Sequence, residues 1–340
     1  MGIAKSLRIA GRLRMKRRRL LFRSFRKRRQ LHPVENRTSR IKADSILAFS
    51  TVRNEMVRLP YFLEYYRALG VNHFLFVDNE SDDGTAEYLR EQPDVSLWTT
   101  PESYKLSRFG VDWLTWLQIK YGHNHWCLTV DADEILVYPF CDTRSLRALT
   151  DWLDDSSIRS FGTLMLDMYP KGPLDAQTCE PGQDPFEILS WFDSGNYMME
   201  RHPELHNLWI QGGVRARKFF PDQPRRAPSL NKTPLVKWNR RYAYVSSTHA
   251  LLPRELNQVY DQWGGEKASG VLLHTKFLHT IGEKTREEMQ RRQHFGNSEE
   301  YVAYHDVLQH SPDLWCKWSE KYINWRQLEI LGLMSKGNWA

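Results

Sequence analysis

The stretch WCLTVDADEILVYP, residues 126–139, places three acidic side chains directly after a run of apolar residues. The run from Cys127 to Val130 predicts a buried strand, and Asp131, Asp133 and Glu134 follow it. A buried strand that ends in clustered negative charge needs a positive partner. An Asp-x-Asp pair at this position suits a hard divalent cation with oxygen ligands, such as Mn²⁺ or Mg²⁺. The alternative is a solvated turn that caps a following helix.

Strands and helices alternate along residues 45–130, which predicts a parallel sheet covered by helices. The predicted strands, in order, are SILAFSTV, NHFLFVD, VSLWTT and HWCLTV, and the predicted helices between them are RNEMVRLPYFLEYYRALG, TAEYLREQ and SRFGVDWLTWLQIKYG. If the strand order is 3-2-1-4, ligands bind where that order reverses. Asp131 and the segment Thr51–Glu55 would then border one crevice, because they follow the fourth and the first strand.

The regular alternation ends after Pro139, and we expect a mixed region beyond it. The segments FGTLMLDMYP, NLWIQGGVRARKFF, TPLVKW and YAYVSSTHALL predict strands, EKTREEMQRRQHFG predicts a polar helix, and the Trp-rich DLWCKWSEKYINWRQLEILGLM predicts a helical end. We therefore divide the chain into a basic arm (1–42), an α/β half (43–140), a second half of the same domain (141–295) and a C-terminal helical segment (296–340).

The arm carries the positive charge of the chain. Residues 1–42 hold sixteen Lys and Arg against one acid, Glu35, whereas the remainder holds 32 basic and 40 acidic residues. The net charge of +7 is thus +15 on the arm and −8 elsewhere. Arg and Lys interspersed with Leu, Ile and Phe suit a basic amphipathic helix on an anionic membrane, although a disordered tail can have the same composition. No nucleic-acid-binding module follows the arm, so we expect no nucleic-acid partner.

Several features that the sequence lacks bear on the cellular compartment of the protein. The sequence has no run of about 18 apolar residues, so we expect no transmembrane helix, and the N-terminus lacks the apolar core of a signal peptide. The four Cys residues show neither CxxC nor Cys/His metal spacing, which favours reduced thiols. We expect a cytoplasmic protein, peripheral on the inner face of the membrane if the arm binds lipid.

Four segments, in this order, resemble a GT-A glycosyltransferase of the family 2 type, in particular the branch related to glycosyltransferase family 92. They are STVRNE, LEYYRALGVNHFLFVDNESDDGT, WCLTVDADEILVYP and LLHTKFLHTIGEK, within residues 45–290. The resemblance implies a Rossmann-like, mostly parallel sheet flanked by helices, followed by a mixed acceptor-side region. It also implies transfer of a sugar from a nucleotide-sugar donor, expected to be a UDP-sugar, to a glycan or other hydroxyl acceptor, with Mn²⁺ or Mg²⁺ and with inversion.

The resemblance also implies roles for individual residues. Asp131 and Asp133 would bind the metal with His274 as a further ligand, although His274 could instead be a core histidine bonded to backbone. The residues that would contact the donor's base, ribose or phosphates are Thr51, Arg53, Asn54, Glu55, Asp78, Asn79, Ser81, Asp131 and Lys276, with Lys284 as a further phosphate candidate. The alternative for these residues is ordinary helix capping and surface ion pairing.

An inverting transfer needs a carboxylate that accepts the proton of the acceptor hydroxyl. Asp167 ends the predicted strand FGTLML, so the sheet would hold it in place. Asp193, in WFDSG, is the rival, and it lies near Trp191, which could stack on a sugar ring. We expect Asp167 to be the base, because a rigid backbone keeps a base within hydrogen-bond reach. Both could also be ordinary loop acids.

Two other functions fit parts of the sequence. The same fold could be catalytically silent and act as a scaffold, although the DAD segment and the first-loop residues argue against this. A nucleotidyltransferase also uses a parallel sheet and a metal, but such enzymes usually begin with a Gly-rich phosphate loop after the first strand. STVRNE contains no Gly, which counts against that function.

Overall fold

The computed structural model describes residues 3–259, 267–291, 304–305 and 307–339. The strands are β1 (His32–Glu35), β2 (Ile46–Val52), β3 (His73–Asp78), β4 (Val95–Thr99), β5 (Trp126–Thr129), β6 (Glu134–Val137), β7 (Ser160–Asp167), β8 (Trp191–Asp193), β9 (Tyr197–Arg201), β10 (Leu208–Gly212), β11 (Asn231–Lys237), β12 (Ala243–Tyr244), β13 (Leu251–Leu252), β14 (Ser269–His274) and β15 (Ser319–Lys321). The helices are α1 (Ile3–Lys27), α2 (Leu59–Leu69), α3 (Thr85–Glu91), α4 (Val111–Tyr121), α5 (Leu146–Asp155), α6 (Gly213–Phe219), α7 (Ile281–Arg291) and α8 (Trp325–Ile330).

Within the described residues, nine strands form one sheet in the order β1-β4-β3-β2-β5-β11-β7-β14-β6. β4, β3, β2 and β5 run parallel, in the 3-2-1-4 order expected from the sequence. The chain moves outward from β2 to β4 and then crosses to the other side of β2 to form β5, so the strand order reverses between β2 and β5. The α/β fold class is confirmed, and open sheets of this class bind ligands at such a reversal.

Alternate residues of the parallel strands face opposite helical layers. In β2, Ile46 and Ala48 pack in one core with α2, whereas Leu47 and Phe49 pack in a second core with α4. Successive side chains of a strand point to opposite faces of the sheet. A strand that is buried on both faces therefore lacks polar alternation, which explains the continuous apolar runs in the sequence.

β11 joins the parallel half of the sheet to a mixed half. It pairs antiparallel with β5 on one side and with β7 on the other. β14 then pairs parallel with β7 and antiparallel with β6. In this register His274 lies beside Asp167 at the end of β7 and beside Glu134 at the start of β6. The mixed half thus brings charged residues from distant parts of the chain to one place.

In the structure, the described part of the arm forms α1 and β1 and is not the disordered tail that was the alternative to a membrane-bound helix. Ile9, Leu13 and Leu20 on one face of α1 are buried in a small core with β12 and β13. β1, in the second part of the arm, pairs antiparallel with β4 at the edge of the central sheet, so the domain extends N-terminal to residue 43. None of the described helices, α1 included, is both long and apolar enough to cross a membrane.

Further elements differ from the prediction, among them α5, for which no helix was expected, and YAYVSSTHALL, which splits into β12 and β13. The segment NLWIQGGVRARKFF, expected to be strand-like, splits into β10 and α6. The segment EILV, for which no strand was expected, forms β6 at the edge of the sheet. In the segment DLWCKWSEKYINWRQLEILGLM, the expected helix is reduced to α8, which follows β15; of the C-terminal segment, residues 296–303, 306 and 340 lie outside the described residues.

We predict that Gly110→Ala destabilises the protein more than Gly84→Ala. Both glycines precede a helix with a positive φ, +74° for Gly110 and +90° for Gly84. A left-handed backbone costs an alanine roughly 1–2 kcal/mol at either position. A Cβ at Gly110 would lie 2.5 Å from Oγ1 of Thr51, whereas a Cβ at Gly84 would meet nothing within 4 Å. The clash should cost Gly110→Ala a further 1–3 kcal/mol or so.

Urea unfolding measures the loss of unfolding free energy in both variants, and Gly84→Ala is the matched control. Equal losses in the two variants would contradict the close packing of Gly110 on Thr51 at the end of β2.

Candidate functional site

A cleft of about 330 Å³ opens at the carboxyl ends of β2 and β5, where the strand order reverses. Its lining includes the loops after these two strands, Tyr104 and Phe109 before α4, and one face of α7. The Asp, Glu, His, Arg and Lys residues in the lining are Arg53, Glu55, Arg58, Asp131, Asp133, Glu134, Arg215, Lys232, His249, His274, Lys276, Lys284, Glu287 and Arg291. A concave site in which acids and bases are packed together is a place where ligand chemistry is expected.

The three acids after β5 lie in different surroundings. The side chain of Asp131 is half-exposed, whereas that of Glu134 is buried. Nζ of Lys232, from β11, lies 2.8 Å from Oε1 of Glu134 and 3.5 Å from Oδ2 of Asp131. Burial alone would lower the pKa of Lys232, but Glu134 and Asp131 raise it, so the ammonium stays charged. Lys232 is therefore one positive partner of the acidic loop.

His274 lies between two carboxylates. Its Nδ1 is 2.6 Å from Oδ1 of Asp167, and its Nε2 is 3.1 Å from Oδ2 of Asp133. Burial alone would lower the pKa of His274, but Asp133 and Asp167 raise it. Nε and one terminal nitrogen of Arg215, from α6, donate to Asp167 at 2.7 and 2.8 Å. The four side chains form a continuous charged chain, Asp133–His274–Asp167–Arg215, that reaches from α6 to the cleft.

Asp133 and His274 have the chemistry of ligands for a divalent cation. Oδ2 of Asp133 and Nε2 of His274 face each other in the cleft, and Asp131 adds a half-exposed carboxylate on the same loop. The other ring nitrogen of His274 is held by Asp167, as a carboxylate commonly holds a metal-bound histidine. Within the described residues, no three His, Cys, Asp or Glu side chains are already gathered as metal ligands. The donor set fits Mn²⁺ or Mg²⁺ in kind, and the metal itself stays a prediction.

The loop after β2 is joined to α7 by ion pairs. Nε of Arg53 donates to Oε1 of Glu287 at 2.8 Å. Glu55 accepts a hydrogen bond of 3.0 Å from Arg58 and another from Lys284. Arg53 and Glu55, both predicted to contact the donor, do line the cleft. α7 therefore covers the side of the cleft where the nucleotide is expected.

The loop after β3 contributes one residue to the lining and several to its support. Asp78 is buried, which raises its pKa, and it accepts hydrogen bonds from the backbone N–H and the hydroxyl of Ser81. Oγ of Ser81 accepts from the backbone N–H of Asn54 at 3.0 Å. Asn79 lines the cleft and donates to the carbonyl of Thr100 at 2.8 Å. Asp78, Ser81 and Asn54 thus tie the two loops together, and in the described structure Asn79 is the member of this group that lines the cleft.

Thr51 and Lys276, the remaining predicted donor contacts, also line the cleft. Thr51 lies at the end of β2, and Nζ of Lys276 lies 5.1 Å from the ring centroid of Tyr304. The structure therefore brings the three predicted metal ligands and most of the predicted donor contacts into one site.

Asp167 does not fit the role of general base that the sequence suggested. It stands at the end of β7, as expected, but it is buried, and Arg215 and His274 bond to its oxygens. Burial alone would raise the pKa of Asp167, but Arg215 and His274 hold it well below its usual range. A carboxylate with so low a pKa is a weak proton acceptor.

Asp193 does not fit that role either. Its two oxygens accept hydrogen bonds of 3.0 and 2.9 Å from Arg217, and Tyr169 also donates to it. Trp191, the candidate for stacking on a sugar ring beside Asp193, packs edge-on against Trp315 at 6.1 Å between ring centroids. In the described part of the chain, neither Asp193 nor Trp191 belongs to the cleft lining. Asp193 serves instead as a partner of Arg217.

Sequence reasoning missed Arg215, Lys232 and Arg58. Lys232 lies in β11, one residue before the predicted strand TPLVKW, and its neighbours Asn231 and Thr233 are polar, so the local pattern gave no sign that it would be buried and paired. Arg58 lies one residue before α2 and is buried against Glu55 and the backbone of Thr275. Arg215 lies in a segment predicted as a strand, where its direction could not be inferred.

No protein-family model matches the sequence, and no curated protein matches it. Among solved structures, the chain is similar to one described as "Crystal structure of 4-diphosphocytidyl-2C-methyl-D-erythritol synthase", with a TM-score of 0.26 and 11% identity over 85% of this chain and 98% of that chain. At this TM-score the likeness carries no conclusion about function, so any functional assignment depends on the geometry of the cleft.

We predict opposite pH dependences for the contributions of His274 and His73 to stability. The pKa of His274 is raised, so its stabilising ion pairs are fully present below its ordinary pKa of about 6.5 and are lost as the pH rises through the raised value. Burial lowers the pKa of His73 to about 4. Its contribution is therefore present above its ordinary pKa and is lost as the pH falls toward 4.

Chemical unfolding of the wild type, His274→Gln and His73→Gln in EDTA, from mildly acidic to alkaline pH, measures both contributions. The deficit of His274→Gln should shrink as the pH rises, and that of His73→Gln should grow. A deficit of His274→Gln that grows with pH would show that the ring is neutral between its two carboxylates.

Proposed function

We propose that the protein is a metal-dependent glycosyltransferase. It would move a sugar from a nucleotide-diphosphate donor, expected to be a UDP-sugar, to a glycan or other hydroxyl acceptor. The observation that carries the proposal is the position of Asp131 and Asp133 at the reversal of strand order, in a cleft that is also lined by Arg and Lys side chains. The resemblance of the four segments to family 2 enzymes supports sugar transfer with inversion as the reaction.

The charges of the cleft suit a donor that carries a diphosphate. Transfer breaks the bond between the sugar and the diphosphate, and negative charge grows on the leaving oxygen. Lys232 stays charged beside the acidic loop, and Arg58 is held in place by Glu55 and the backbone of Thr275. Charges that are already in position stabilise a developing anion better than water does, because they need no reorganisation. A bound divalent cation would add Lewis-acid stabilisation of the same charge.

The chain from Asp133 to Arg215 would hold the cation in place. Asp133 and His274 would be ligands, together with Asp131. Asp167 orients the ring of His274 through Nδ1, and Arg215 keeps Asp167 ionised. Asp167 would thus be a positioning residue rather than the group that takes the acceptor's proton.

The nucleotide would lie on the side of the cleft formed by the loops after β2 and β3. Thr51, Arg53 and Asn79 line the cleft there, and α7 lies over them through Glu287 and Arg291, which donates to Asn79 at 3.3 Å. The cation site and the site of the nucleobase would lie on neighbouring loops. One donor molecule would then contact both sites, which suits an extended nucleotide sugar.

We predict that Asp133→Asn abolishes the activity while Asp94→Asn retains it. Asp133 would bind the metal, and a metal contributes several kcal/mol of charge stabilisation, so turnover should fall at least about a hundredfold. Asp94 is a matched control because its pair with Arg67, at 2.6 Å, is partly exposed and lies on the loop before β4. A panel of sugar nucleotides, screened by thermal shift with and without Mn²⁺, selects the donor for the assay. Full turnover of Asp133→Asn in EDTA would rule out the metal site.

In the same assay, the variant Asp167→Asn distinguishes a positioning role of Asp167 from a role as the general base. Loss of a positioning partner should weaken Mn²⁺ binding about 10–100-fold, measured by calorimetry, with turnover recovering in excess Mn²⁺. Unchanged Mn²⁺ affinity with lost turnover would restore Asp167 as the base.

If the wild type releases pyrophosphate from a nucleoside triphosphate instead, the protein is a nucleotidyltransferase. If it turns over no donor of either kind, it is a scaffold.

A further inference from the structure

α1 has two apolar faces. Ile9, Leu13 and Leu20 on one face are buried against the domain. On the other face, Leu7 and Phe22 are 68% and 62% exposed, and Met15 lies between them with 49% exposure. At 3.6 residues per turn, Leu7, Met15 and Phe22 lie within roughly 80° of arc, on the side opposite the buried set. A helix that only packs on its own domain needs one apolar face, so the exposed stripe calls for another explanation.

Basic residues surround this exposed stripe, and α1 contains no acid. The basic residues of α1 that are exposed to solvent are Arg8, Arg12, Arg14, Lys16, Arg18, Arg19, Arg23 and Arg26. Large apolar side chains flanked by Arg and Lys on one helix face match the boundary of an anionic bilayer. There the apolar groups enter the acyl region and the cations meet lipid phosphates.

α1 is tied to a segment that lines the cleft. Nε of Arg23 donates to Oδ2 of Asp112 at 2.5 Å, and Asp112 is buried at the start of α4. Nε of Arg108 donates to the other oxygen of Asp112 at 2.8 Å. The next residue, Phe109, lines the cleft. Whatever α1 binds is therefore held at a fixed position relative to the cleft.

We propose that the exposed face of α1 docks on an anionic phospholipid surface, with the helix axis parallel to the membrane and the cleft held close to the bilayer. Nucleic acid would match the charge of α1, but contacts with a phosphate backbone give no role to Leu7, Met15 and Phe22. The proposal does not depend on the reaction that the cleft catalyses.

Flotation of the full chain with vesicles tests the docking. The protein should float with mixed phosphatidylcholine and phosphatidylglycerol vesicles but not with phosphatidylcholine alone. The bound fraction should fall as salt is added, because salt screens exposed charges. Equal flotation with both kinds of vesicle would overturn the proposal.

A double variant tests the apolar stripe. Leu7→Ser with Phe22→Ser should weaken binding to the mixed vesicles by about tenfold or more, because each side chain loses its burial in the bilayer. Trp318→Ser with Ile330→Ser is the matched control, since these residues are 71% and 85% exposed and lie outside α1. Unchanged binding by the α1 variant, with a normal unfolding transition, would exclude the stripe as a docking surface.

A second pair of double variants tests the contribution of the positive charge of α1 to binding. Arg14→Gln with Arg18→Gln should weaken binding by about tenfold, whereas Arg90→Gln with Arg286→Gln, two exposed residues outside α1, should leave it unchanged. A labelled RNA provides the rival ligand. If the RNA binds at the same salt concentration, is lost with the α1 arginines and is retained by the Leu7 and Phe22 variant, the helix binds nucleic acid and the proposal fails.

Discussion

The buried ion pair between Asp167 and Arg215 is the interaction on which the arrangement of the cleft depends. Both side chains are almost fully removed from water, and two hydrogen bonds join them. Removing one partner of such a pair leaves a buried, unpaired charge, which typically costs about 3–5 kcal/mol. α6 must therefore stay against β7, and His274 takes its orientation from Asp167. The position of Asp133 in the cleft is thus coupled to a helix about 80 residues later in the chain.

The two halves of the sheet contribute different parts of the site. The parallel half supplies the acidic loop and the loop after β2, whereas the mixed half supplies Lys232 on β11, Arg215 on α6 and His274 on β14. Carboxylates at the end of a buried strand are stable only when positive groups meet them, and here those groups come from later in the chain. The parallel strands therefore form an incomplete site until the mixed half has folded onto them.

The sequence predicted those elements that depend on the local pattern of apolar and polar residues. Continuous apolar runs and helical periodicity identified the parallel strands and their helices, because a strand buried on both faces has a distinctive composition. Strand pairings between distant parts of the chain left no such pattern in the sequence. Asp167 was expected at the end of a strand, and it stands at the end of β7, but the role expected for it ignored Arg215, whose helix had been taken for a strand. For α1, the pattern showed that the helix was amphipathic but not that one face would pack on β12 and β13.

The central claim is that the acidic loop and His274 form a donor site with a divalent cation. Crystals grown with Mn²⁺ and UDP, analysed by the anomalous scattering of manganese, test it most directly. We expect one manganese site with Asp133 and His274 as direct ligands, and the uridine against Thr51 and Asn79 on the loops after β2 and β3. Manganese bound away from Asp133, or UDP bound outside the cleft, would contradict it.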